Sequence, residues 1–434
     1  MNLKLENLST KYPNLKVEDG LYLPNFEKNI YKLRDTFENL LEIKNTKDSL
    51  LKYNDIKSLI NNHDCFQPKN IIHFTIDSLG INQLIEKNYF LNLYRKNNEI
   101  IELSSLFPSI TSTILTSIHL GIPPEGHGVL GHKIFFPELG SIVNTLTMSI
   151  PNAKDDSKDA IIKSGINPKA LLWKYVPTSA YESEKYKQYN LLQFDIAMTG
   201  LSHLMLDARN AISFRNYIDG FEKIKLLLKR KEKLYIHFYI GDLDDISHAY
   251  GPFSSQFEEI SVLIDFIFKN FIKSIDSSIA KETVMTITAD HGQNTLHDDK
   301  RIIFNEEDIN KYKKYSRAPM GKSGRVLHFY AKEDKIDELK ELIEEKTKNS
   351  ALILTKKDDF SPLFATENNK EKIFQRLGNI VVIFKPNYSA EKHHTSKEDE
   401  AIKFIMHGSH GSLSLDELKI PLFIDKIENY QKSI

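Results

Sequence analysis

The 434-residue chain carries 58 basic against 59 acidic residues, a formal net charge of −1. That balance excludes a strongly basic chain that coats nucleic acid and gives no footing for a charged membrane-surface role. Hydrophobic residues at 41% and charged residues at 27% are ordinary globular values, and the single cysteine, Cys65, excludes an internal disulfide framework or a thiolate metal cluster.

The opening MNLKLENLSTKYPNLKVEDG has no apolar core of signal-peptide length. No stretch reaches the roughly 18 uncharged apolar residues of a spanning helix. The expectation is a soluble cytoplasmic chain without a membrane partner.

In chain order, residues 27–62 read as a helical lead-in, with Ile30, Leu33, Phe37, Leu40 and Leu41 at helical spacing. NIIHFTID (70–77) is an apolar strand stopped by a carboxylate. IIELSSLF (100–107) is a second extended piece. It runs into FPSITSTILTS (107–117), a helix start with six hydroxyls, and Gly121 and Pro123 end that helix. KLYIHFYIGDLDD (233–245) and ETVMTITADHGQ (282–293) are further strands ending in acids. Between them, residues 256–273 place Phe257, Ile260, Leu263, Ile264 and Ile267 on one helical face. Strands alternating with helices predict an α/β fold with a mostly parallel sheet covered on both faces.

Two regions read as insertions: about 129–232, a helical cap, and about 323–400, a small α+β cap. The expected division is a lead-in over 1–66 and one catalytic domain over 67–434.

In open α/β sheets, ligands bind at the carboxyl ends of the strands. Three such ends carry Asp77, Asp244 and the Asp290-His291 pair. A lone Asp there is usually a turn former; three together, two with histidine nearby, point to a site. Asp244 and His248 stand four residues apart, the spacing that places both on one helix face; Asp242 and Asp245 have no histidine at that spacing. Gly292 would permit a bend that brings Asp290 and His291 together. His407 and His410 lie in HGSHGSLSLDEL. Carboxylate and imidazole without thiolate suit zinc, manganese or iron. Two such ions about 4 Å apart would clamp the attacking and leaving oxygens of a displacement at phosphorus. The hydroxyls of residues 107–117 then have two readings. They cap a helix, or one of them, at a helix N-terminus that favours phosphate, attacks it.

Four blocks carry a family resemblance: IIHFTIDSLG; FPSITSTILTSIHLGIPPEGHGVLG; YIGDLDDISHAYGP with TADHGQ; and GSHGSLSLDELKIPL. They resemble, in order, the type I phosphodiesterase / nucleotide pyrophosphatase group of the alkaline phosphatase superfamily, in its prokaryotic branch. The resemblance implies an alkaline-phosphatase-like fold and two zinc-class ions. One would be held by Asp77, Thr111, Asp290 and His291, the other by Asp244, His248 and His410. It implies Thr111 as nucleophile, seventeen residues before Gly128 of the HG turn, with the Ser112 backbone N–H near the phosphoryl oxygens. Ser78 departs from the glycine common after the first strand. The implied activity is hydrolysis of phosphodiesters or pyrophosphates of nucleotide type through a phospho-threonine. Alternatives on the same scaffold are a phosphomonoesterase, a phosphonate hydrolase or a non-catalytic binding protein. Tyr181, Tyr186 and Tyr189 are candidates to stack on a base, although packing is the commoner use of tyrosine. Lys322 and Arg325, in APMGKSGR, are candidates to reach the phosphate of a small-molecule substrate.

Overall fold

The computed structural model of the protein describes residues 20–43, 67–86, 100–176, 186–366, 369–392 and 405–434. Its centre is a seven-stranded sheet. The strands are β1 (Asn70–Ile76), β2 (Ile101–Ser104), β3 (Tyr186–Gln193), β4 (Ala211–Phe214), β5 (Lys233–Ile240), β6 (Thr283–Thr288) and β7 (Lys419–Lys426). They lie in the order β2-β7-β6-β1-β5-β3-β4. β7 alone runs against its neighbours; β6, β1, β5, β3 and β4 are parallel.

β1 is buried along its whole length, which explains its unbroken apolar reading. Strand alternation divides its side chains between two faces. Phe74 points to one face, where it meets Phe238 of β5 and the phenylalanines of two helices, α3 (Tyr217–Leu228) and α5 (Ser255–Lys273). His73 and Thr75 point to the other, level with His237 and Tyr239 of β5. That face is covered by α1 (Leu33–Leu40), through Phe37, and by α2 (Thr111–Leu120), through His119.

The helix expected over 27–62 is shorter where it is described. A 3-10 turn, Ile30–Lys32, leads into α1, and Glu42, with φ 54°, turns the chain away after Leu41. Residues 44–66, Cys65 among them, lie outside the described residues.

The stretch 129–232 is not a helical cap. It supplies β3 and β4 to the central sheet, and its strands Lys133–Phe136 and Ser141–Asn144 join a second sheet. That six-stranded antiparallel sheet is completed by Gly321–Ser323, Val326–Phe329, Ile380–Phe384 and Ala351–Thr355. The α+β character expected for 323–400 is present over its described part, with helix Ile336–Thr347 burying Ile336, Leu339 and Ile343. Among the described residues, no helix is long and apolar enough to cross a membrane.

Candidate active site

β6, β1 and β5 are adjacent, so their carboxyl ends bring Asp290, Asp77 and the start of helix α4 (Asp242–Tyr250) to one edge of the sheet. α2 begins at the same edge. Its N-cap is Ile110, and no side chain caps it, so the hydroxyl-capping reading fails. No side chain competes for the first-turn N–H groups, of which Thr113 N–H already bonds Ile110 O at 2.9 Å. Five of the six hydroxyls turn away from the site or serve the backbone. Ser109 Oγ donates to Ser412 O (2.9 Å), Ser112 Oγ to Gly131 O (3.2 Å) and Thr116 Oγ1 to Ser112 O (2.7 Å). Ser117 Oγ bonds Thr113 O and His127 Nε2, and Thr113 Oγ1 is buried without a partner. Thr111 alone faces the acids: its Oγ1 lies 3.4 Å from Asp77 Oδ2 and 3.1 Å from His291 Nε2.

Three imidazoles converge on these carboxylates in the same way. Nδ1 of His248, His410 and His291 lies 2.9, 2.8 and 3.0 Å from the carbonyl oxygens of Gly408, Ser109 and Gly292. A carbonyl only accepts, so each Nδ1 carries a proton, and the neutral ring presents an Nε2 lone pair to the centre. Burial would lower His248, but the Asp244 charge raises it to about 9 without an ion, so there the ion would replace the Nε2 proton. His248 and His410 point Nε2 at Asp244, at 3.2 and 3.5 Å. His291 Nε2 lies 3.5 Å from Asp77 Oδ1 and 3.4 Å from Asp290 Oδ2. His407 is exposed and lends only backbone bonds. Gly292 is needed for a reason other than its φ: a Cβ there would stand 2.0 Å from Asp416 O. Ser78, with φ 64°, holds the turn that glycine commonly holds and donates its Oγ to Asp244 Oδ1 at 2.5 Å.

The electrostatics call for a cation. Burial, then the charges of Asp290 and Asp244, raise the Asp77 carboxyl well above the usual range. Burial likewise lifts Asp290, to about 6. Burial would also raise Asp244, but His248 and His410 outweigh it and hold it low. Asp77 Oδ1 and Asp290 Oδ2 are buried and accept no hydrogen bond. Orphaned anionic oxygens beside oriented imidazole lone pairs fit a divalent ion. Two groups have donor atoms all within 4.8 Å of one another: Asp77, Asp290 and His291; and Asp244, His291 and His410. His291 is common to both, and His248 reaches Asp244 beside the second.

A family model for type I phosphodiesterase / nucleotide pyrophosphatase matches residues 71–413. The chain belongs to that family. It is a hydrolase of phosphoester bonds. Murine ectonucleotide pyrophosphatase / phosphodiesterase 5 is similar in structure, with a TM-score of 0.59 at 14% identity over 83% of this chain and 93% of that one. The same figures hold for an inactive threonine-to-alanine form of it in complex with AMP. The human counterpart gives 0.56 at 16% identity, over 83% and 92%. These likenesses show the alkaline-phosphatase-like fold. Comparison with curated protein sequences finds no match.

Other residues read from the sequence stand elsewhere. Arg325 is fully buried in an ion pair with Glu417 (2.6 Å). Lys322 donates to Ala390 O at 2.6 Å, in a strand rather than a solvated loop. Tyr186 is buried in β3, Tyr189 packs under Arg230, and Tyr181 lies outside the described residues. Sequence reasoning missed Tyr239, which donates to Asp77 Oδ2. The strand parity that sets Tyr239 beside Thr75 carries the only signal for it. It also missed His132. Burial, then the charge of Lys133, lowers that imidazole to about 3, with smaller contributions from His410 and His248, and its Nε2 is buried without a hydrogen-bond partner.

A cavity of about 410 Å³ opens beside Thr111, Asp77 and Asp244. Its wall mixes aliphatic side chains, Leu115, Leu146, Leu192, Ile196, Leu201 and Met205, with polar ones, Thr147, Gln193, Thr199, Ser202 and Tyr239, and with the charged Lys158, Asp195 and Asp245.

Proposed function

We propose that the protein hydrolyses phosphodiesters or pyrophosphates of nucleotide type, with Thr111 as nucleophile and two divalent ions, most simply zinc, at the carboxylate–imidazole centre. The observation that carries the reading is the Thr111 hydroxyl, set at an uncapped helix start within 3.4 Å of both Asp77 and His291. A phosphoryl group at that helix end meets free N–H groups, with the Ser112 N–H among them. Asp77, Asp290 and His291 would hold one ion; Asp244, His248 and His410 would hold the other. Bound there, the ions would supply Lewis-acid stabilisation of the developing charge and lower the pKa of a water. Thr111 Oγ attacks phosphorus as its proton passes to Asp77 Oδ2, the oxygen it faces at 3.4 Å, and the bond to the leaving oxygen breaks. Water then cleaves the phospho-threonine and restores the hydroxyl.

The cavity beside Thr111 has room for one organic group of a diester. The murine neighbour's complex with AMP supports a substrate of nucleotide type. The basic residue among the described lining is Lys158, a point charge on a flexible stem, and Arg325 is committed to Glu417, so the planar arginine fork that suits a monoester dianion is missing from the cavity. Bis(p-nitrophenyl) phosphate is therefore hydrolysed faster than p-nitrophenyl phosphate. Turnover of the monoester alone would reverse the assignment to the alternative phosphatase reading.

The crowded acids also predict stabilisation by metal. Zinc or manganese at about a thousandfold excess over Kd adds about 4 kcal/mol. Thermal melts should rise by several degrees and fall back with EDTA. An unchanged melt would contradict a built cation site.

A further inference from the structure

Arg325 was read from the sequence as a candidate phosphate contact; its surroundings give it another task. We propose that the Arg325–Glu417 ion pair is a positioning device that sets both histidine loops of the centre, and so tunes its affinity for divalent ions. The inference rests on the cation-binding reading of that centre. Both side chains are fully buried, with Arg325 Nη1 2.6 Å from Glu417 Oε2. Glu417 then works in two directions. Its Oε1 accepts the Ser412 N–H (3.0 Å) and its Oε2 the Ser414 N–H (3.1 Å), fixing the chain just after His410. Its own carbonyl accepts the Gly292 N–H (2.9 Å), fixing the chain just after His291. Arg325 completes the clamp from the second sheet: its backbone N–H donates to His410 O at 2.8 Å. Gly324 beside it, at φ 56°, lets the chains meet, because a Cβ there would stand 1.9 Å from that same oxygen. The remaining guanidinium donors reach the carbonyls of Phe384, Lys385 and Tyr388. His291 and His410 stack at 3.7 Å between ring centres, so a shift in either loop moves both Nε2 atoms.

Lysine cannot reproduce the planar fork. Arg325→Lys and Glu417→Gln should weaken zinc binding about 10- to 100-fold, the usual cost of disturbing groups that orient metal ligands. The readout is competition with a chromophoric chelator, which does not depend on turnover. Arg376→Lys is the control, since Arg376 is another buried arginine, bonded to Gly128 O, Leu171 O and Glu138, none of them in either histidine loop. If Arg325→Lys costs no more zinc affinity than Arg376→Lys at an equal loss of melting temperature, the pair is only structural and the proposal falls. Should the single variants not fold, the double Arg325→Met/Glu417→Leu replaces the pair with apolar side chains, a swap that buried pairs often tolerate. A folded double variant with wild-type zinc affinity overturns the proposal; one with weakened affinity supports it. Wild-type protein that takes up no zinc would instead remove the cation-site reading itself.

Discussion

Thr111→Ala should lose at least about 10⁴-fold in kcat, the scale seen when a nucleophile is deleted and only binding and electrostatics remain. The fold has little reason to respond. Thr111 is the first residue of α2 and 9% exposed, and alanine is the better helix former. Melts of the variant should match wild type within about 1 kcal/mol, as at ordinary substitution sites. Thr113→Ala serves as the neighbouring comparison. Its hydroxyl is buried without a partner, so its removal leaves turnover near wild type. Thr111→Ser keeps the attacking oxygen and should retain measurable activity. A phosphoryl group trapped on the protein during turnover should be absent from Thr111→Ala. Full activity of the alanine variant would transfer the nucleophile's role to another group, and the uncapped helix start would then need a different explanation.

What could be read in advance follows from which physics is local. β1, β5 and β6 are buried along nearly their whole length, and continuous apolar runs announce such strands in sequence. Their carboxyl ends made Asp77, Asp244 and Asp290 visible. β3 was hidden because YKQYNLLQ contains Gln188 and Asn190, which are buried as a hydrogen-bonded pair at 3.3 Å. Polarity there reflects a partner rather than exposure. The second sheet was hidden for a different reason. Lys133 pairs with Lys322, and no local period records a pairing across that much chain. Arg325 shows the same limit at one residue. Beside Lys322 and Gly324 it resembles a phosphate loop, and its real partner, Glu417, is 92 residues further on. The helix N-cap failed as a reading because hydroxyls were abundant and the chain placed Ile110 at the cap.

Lowering the pH should unfold this protein well above the range where carboxylates alone would do so. His73, His119 and His237 form a buried cluster on the face of the sheet that carries α2. The His119 and His73 rings lie 4.7 and 5.0 Å from His237, and one nitrogen of each of the three has no partner. Burial is the first cause that lowers all three, His237 to about 3. Burial lowers His127 to about 3 and His328 to about 4 as well. For a histidine with a depressed folded pKa, the unfolded chain binds the proton first. The stabilisation is therefore complete above the unfolded value of 6.5 and is lost as pH falls toward the folded one. Each contributes about 1.4 kcal/mol per pH unit in that window. Asp77 and Asp290, raised in the ion-free protein, act with the opposite sign. The depressed histidines outnumber the raised carboxyls Asp77 and Asp290, so stability falls as the pH drops below 6.5, by about 1.4 kcal/mol per pH unit for each histidine in excess, set against a typical total of roughly 5–15 kcal/mol. Urea melts between pH 7 and 5 should show that slope, and His237→Gln should reduce it by about 1.4 kcal/mol per unit. Stability that stays level to pH 5 would mean the cluster is charged or hydrated in the folded state. The link to function is direct, because His119 closes the last turn of the helix whose first residue is Thr111. Charging the cluster loosens the far end of α2, so turnover should fail in the same pH window as the fold.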